Sequence, residues 1–211
     1  MYERQVEQKD YSPRPQHLQR YTWQKNFSID FPEDYNLAIA NTVDRNNLEC
    51  SNFEELYMRF WHMGWIEKYG TSCIMMSQLL RRVLWLHGKA AHMRQVVCYW
   101  EKEEKGQLTH IGNINNSVPD GGIDAHVVVA CKGYILDFAA SAIMSEFGAT
   151  APRAFIALDE KDDNEYQNFG MHGQSCWVRA RPPHPIIKHW RYENKENEIK
   201  ESKEYFKLFA F

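Results

Sequence analysis

The chain has 211 residues, 44% of them hydrophobic and 14% aromatic, with a formal charge of −3. Such a length and apolar content support one domain with a buried core and exclude wholesale disorder. The slightly acidic balance argues against a nucleic-acid binder, and no run of 18 apolar residues is present to span a membrane.

Residues 1–50 begin polar, carry Pro13, Pro15 and Pro32, and read as an arm that packs on the domain. Their opening, MYERQVEQKDYSPRPQ, lacks the apolar centre of a signal peptide. The five cysteines, at 50, 73, 98, 131 and 176, are odd in number, scattered and without CxxC spacing. Reduced thiols and a cytoplasmic location are the expectation.

Residues 51–68, SNFEELYMRFWHMGWIEK, predict a helix. Ser51 followed by Glu54 is a capping-box pattern, and Phe53, Leu56, Tyr57, Phe60 and Trp61 share one face. Gly64 interrupts or ends it. The aromatics at 57, 61, 65 and 69 read as core, with Trp65 or Tyr69 also candidates for the wall of a cleft. A second helix is predicted over 73–87. Gly70, Thr71 and Ser72 form a loop and cap, and Ile74, Met75, Leu79, Leu80, Val83 and Leu84 recur at helical spacing. His87-Gly88 ends it. Cys73 therefore falls in the first turn, where unpaired N–H groups favour negative charge.

KAAHMRQVVCYW, 89–100, predicts a strand, residues 101–106 a charged turn, and 107–124 a long Asn/Gly-rich loop. DAHVVVACKGYILDFAAS, 124–141, predicts a β-hairpin with strands over 125–130 and 134–138. Further strands are expected over 153–158 and 175–182, with an acidic loop at 160–170 between them. Pro182, Pro183 and Pro185 then break the pattern. The C-terminal stretch from Tyr192 reads as a charged helix whose apolar last turn docks on something. The order predicts an α+β domain with an antiparallel sheet, its body at 51–190 and a helical tail at 191–211.

The hairpin matters for chemistry. With a two-residue turn, His126 and Asp137 project from one face: directly opposite if Cys131-Lys132 is the tip, diagonal if Lys132-Gly133 is. A three-residue turn would separate them. A carboxylate beside a histidine orients the ring and stabilises the imidazolium. A Cys at a helix start, a His on a strand and an Asp on the next strand form the nucleophile, base and orienter of cysteine acyl transfer.

GTSC before an apolar helix ending in HG, then a strand, then HVVVACKGYILD, together spanning roughly 56–141, resembles the transglutaminase-like superfamily. The resemblance implies a papain-like α+β fold, with a Cys-bearing helix packed on an antiparallel sheet. It implies Cys73 as nucleophile, His126 as base and Asp137 as orienter. The implied reaction passes through a thioester on an amide of a peptide or protein, by hydrolysis, deamidation or transamidation, with neither cofactor nor metal. Val127 stands where many members carry Trp. The Glu and Asn that follow the cysteine of arylamine acetyltransferases are absent from CIMMS. A non-catalytic binding module of the same fold and an arylamine acetyltransferase-like enzyme are the alternatives.

Other candidates compete less well. Cys176 with His172, in GMHGQSCW, is a second nucleophile–base pair. His87, His92, His184 and His189 lack a third ligand at metal spacing. Cys98 and Cys131 read as structural, and the acidic run 159–165 as solvated. The loop 107–124 leads into His126 and is expected to border the cleft.

Overall fold

A computed structural model describes residues 37–40, 43–101, 108–111, 126–140, 153–159, 166–170, 174–179 and 185–209. The first helix, α1, buries Phe53, Leu56, Tyr57 and Phe60 as their spacing predicts, but it begins before Ser51 and covers Leu48–His62. Asn47 is extended and caps it, its side chain accepting the Glu49 N–H at 2.8 Å. Ser51 lies inside the helix, and its hydroxyl turns back to the Asn47 carbonyl at 3.5 Å. An equally good cap one turn earlier has displaced the predicted one. Gly64, at φ +69°, separates α1 from the short α2, Trp65–Tyr69. Helix α3 runs Cys73–Leu86 and buries Ile74, Met75, Met76, Leu79, Leu80, Val83 and Leu84.

Among the described residues, eight strands form one sheet. They are β1 (Leu37–Ile39), β2 (Ala91–Glu101), β3 (Leu108–Ile111), β4 (His126–Cys131), β5 (Tyr134–Asp137), β6 (Ala154–Leu158), β7 (Tyr166–Gly170) and β8 (Gln174–Arg179). The order is β1-β6-β5-β4-β2-β8-β7, with β3 also paired to β2. Every pair is antiparallel except β1 with β6, which run parallel from Leu37↔Ala154 to Ile39↔Ile156. The expectation of an antiparallel sheet thus fails at one edge. Among the described residues of the 1–50 arm, two stretches are regular structure: the buried strand β1 and the first turn of α1.

Two expected loops also contain strands, β3 within 107–124 and β7 within 160–170. The polar sequence YQNFG carries little strand signal of its own, and β7 forms by pairing with β8. After the prolines come α4, Pro185–Glu193, and α5, Lys195–Phe209. Pro185 opens α4 rather than breaking the chain, because the first helical residue needs no N–H partner.

The tail docks on its own domain. Tyr205 of α5 is fully buried, stacks on Trp65 at 5.9 Å and lies 6.2 Å from Phe60. Phe60 meets Trp65 edge-on at 4.8 Å and Phe138 at 5.7 Å, while Tyr57 meets Phe138 at 5.2 Å. Truncating one such aromatic costs about 3–5 kcal/mol. This cluster fixes α1, α2 and α5 around the residue that follows Asp137. The architecture is α+β, with α3 packed on β4 and β2 and with α4 and α5 behind it.

Candidate active site

The hairpin turn is Lys132-Gly133, and both residues take positive φ, 54° and 83°. That is the twist a two-residue hairpin needs. The register is Cys131↔Tyr134, Ala130↔Ile135 and Val129↔Leu136, which makes His126 and Asp137 diagonal neighbours on one face. His126 Nε2 lies 2.6 Å from Asp137 Oδ2, with side-chain exposures of 2% and 0%. The other carboxylate oxygen accepts the Ala139 N–H at 3.2 Å, and Phe138 between them is locked in the aromatic cluster. The carboxylate is therefore held from both sides of its own backbone.

Cys73 is the first residue of α3 and is half-buried. It shares a hydrogen bond with His126. Nε2 is committed to Asp137, so Nδ1 is the nitrogen left for the thiol. The turn before Cys73 is closed by its own backbone: the Gly70 N–H donates to the Ile66 carbonyl at 3.0 Å and the Ser72 N–H to the Tyr69 carbonyl at 2.8 Å. Ser72 is the N-cap, but its side chain makes no capping bond, so it does not consume the first-turn N–H groups.

Burial pushes the His126 pKa down. The Asp137 charge, its hydrogen bond and the contact with Cys73 outweigh burial and raise it to about 10. The carboxylate and the sulfur beside the ring both favour its protonated form. Cys50 and Cys131, by contrast, are buried thiols whose ionisation burial opposes, and Cys50, beside Glu54, is pushed up to about 11. They are packing residues.

The three predicted site residues thus come together. Of the proposed cleft aromatics, Trp65 is 1% exposed and belongs to the core. The Tyr69 hydroxyl donates to Glu201 at 2.8 Å. Cys73, Met93 and Trp190 instead pack against one apolar cluster of Ile74, Val127 and Ile187. Ser77 was equally unforeseen. Its buried hydroxyl donates to the Val127 carbonyl at 2.8 Å, joining the residue one turn beyond Cys73 to the residue after His126. The only local signal for it is a polar residue on the apolar face of α3.

Cys176 lies on β8, while its companion His172 and most of the loop before His126 fall outside the described residues. His87 contacts the Tyr205 hydroxyl at 3.4 Å, His189 pairs with Glu193 at 3.1 Å, His92 is exposed, and His184 is outside the described residues. Among the described residues, no three His, Cys, Asp or Glu side chains gather as a metal site. No helix among them is long and apolar enough to cross a membrane.

No protein-family model matches the chain, and no curated protein does. A solved structure described as "genomics APC5867" aligns with a TM-score of 0.37 at 13% identity, over 65% of this chain and 65% of that one. That likeness is too distant to bear on fold or chemistry.

Proposed function

We propose that the chain is a cysteine-dependent acyl-transfer enzyme of papain-like, transglutaminase-like type. The observation that carries the reading is the buried 2.6 Å His126–Asp137 pair with Cys73 hydrogen-bonded to the same ring. With the proton of the Cys73–His126 pair on the ring, the sulfur attacks an amide carbonyl carbon of a peptide or protein. The C–N bond then breaks as His126 returns the proton to the leaving amine, which leaves a thioester on Cys73. Water or an amine, deprotonated by His126, releases the acyl group. Hydrolysis, deamidation and transamidation differ only in which amide and which acceptor enter. N–H groups at the start of α3 then stabilise the oxyanion.

The test is the alkylation rate of each cysteine by iodoacetamide against pH, read by mass spectrometry in wild type and His126→Ala. Cys73 is expected to react fastest well below about pH 8, where ordinary thiols are protonated, and to lose that advantage without His126. If Cys73 instead tracks Cys50 and Cys131, the catalytic reading falls.

A further inference from the structure

Three donors from α2 converge on one carboxylate of α5. Trp65 Nε1–H donates to Glu201 Oε2 at 2.9 Å, and Lys68 Nζ and the Tyr69 hydroxyl donate to Oε1 at 2.7 and 2.8 Å. The Glu201 side chain is 14% exposed. Burial alone would raise its carboxyl pKa, but the three donors pull it below the usual carboxylate range.

Helix α2 has five residues, too few to be stable alone. It leads directly into the turn before the nucleophile. The Tyr69 carbonyl accepts the Ser72 N–H at 2.8 Å, and the Ser72 carbonyl accepts the Met76 N–H at 2.9 Å, starting α3. A continuous line of short bonds therefore runs from Glu201 through the Tyr69 hydroxyl and backbone to Ser72 and the first turn bearing Cys73. The aromatic contacts of Trp65 hold α2 against the core, and the convergent donors tie it to α5.

We infer that Glu201 is a positioning residue for Cys73: the C-terminal helix sets the 70–72 turn and, through it, the placement of the thiol against His126. The inference rests on the acyl-transfer reading of that site. Misplacing a reacting group by about 1 Å can cost as much as ~10²-fold.

The test compares wild type, Glu201→Gln, Glu201→Asp, Tyr69→Phe and Lys68→Met. It follows the pH profile of Cys73 alkylation with Cys50 and Cys131 as controls, alongside thermal melts. Glu201→Gln and Tyr69→Phe are expected to slow Cys73 about tenfold near pH 6 and to move its profile to higher pH. Glu201→Asp should restore part of the rate. Lys68→Met, which removes only the half-exposed donor, should stay within about twofold of wild type. Should Glu201→Gln fail to fold, Tyr69→Phe, which leaves the Trp65 and Lys68 bonds in place, decides the matter. Unchanged profiles in Glu201→Gln and Tyr69→Phe, with a His126-dependent advantage in wild type, would overturn the inference alone. Equal slowing in all the variants, Lys68→Met included, would reduce the effect to lost helix stability and overturn it too. No advantage in wild type would overturn the acyl-transfer reading, and the inference with it.

Discussion

Two histidines stand at the two ends of α3 and titrate in opposite directions. His126 faces the N-terminal end, and His87 caps the C-terminal end, about 20 Å away along 14 residues. Burial lowers the pKa of both. At His87, Arg59 and Lys89 lower it further. At His126, Asp137 and Cys73 reverse it. The His87 end also lines a pocket of about 240 Å³ walled by Phe53, Leu56, Leu84 and Tyr205. Its cations are already matched, Arg59 by Glu55 and Lys89 by Glu49. What separates the two ends is the partners of the ring: His126 has a carboxylate and a thiol hydrogen-bonded to it, and among the described residues His87 has neither.

The largest expected effect separates the two ends directly. His126→Ala should slow Cys73 alkylation near pH 6 by about 10²-fold, the usual worth of a positioned base. His87→Ala should leave it unchanged. A comparable loss in both variants would mean that Cys73 reports the general state of α3 rather than a local partner.

Asp137→Asn comes next. The neutral amide keeps the shape but not the charge, so Cys73 should slow about tenfold. Stability should respond with a defined sign. The folded-state pKa of His126 is about 10, against about 6.5 in the unfolded chain. The pair's contribution is therefore complete below pH 6.5 and is lost as pH rises towards 10. The difference in urea midpoint between wild type and Asp137→Asn should be widest below pH 6.5 and narrow above it. A difference that widens with pH would show that His126 is not the proton carrier.

The Cys73 end of α3 was largely legible in the sequence, because its determinants are local. A parity rule and the Lys132-Gly133 turn place His126 and Asp137 on one face. Small residues before an apolar period place Cys73 at a helix start. What supports that end was not legible, because its partners are distant in the chain. Ser77 meets Val127 across 50 positions, and Tyr69 meets Glu201 across 132. No local pattern distinguishes a serine or glutamate with such a partner from a solvated one. The parallel β1–β6 pairing was hidden for the same reason, three residues being too few for a period to show. Trp190 carries no local signal, because Pro185 reads as a stop in the sequence and is a helix start in the structure.

Ser77→Ala gives a smaller effect at the Cys73 end. It deletes one buried hydroxyl donor, worth about 1 kcal/mol by the usual net value of a hydrogen bond. A matching fall in the urea midpoint is expected, with the Cys73 profile moved less than in Asp137→Asn. A profile moved as far as in Asp137→Asn would make this tie as important to reactivity as the carboxylate.

The smallest effect belongs to His87, and its sign should oppose that of the Asp137 pair. The folded-state pKa of His87 lies below its ordinary value, so the folded protein binds fewer protons there than the unfolded chain. Its contribution is present above pH 6.5 and is lost as pH falls below it. His87→Gln removes that loss. Wild type should therefore weaken relative to the variant between about pH 6.5 and 5, whereas it weakens relative to Asp137→Asn between 6.5 and 10. Partial exposure of His87 keeps the change small, because water screens Arg59 and Lys89. Urea midpoints at pH 5 and 7 measure it. If the gap between wild type and His87→Gln stays constant, Glu55 and Glu49 neutralise the two cations as seen from the ring, and the contrast between the ends of α3 rests on His126 alone.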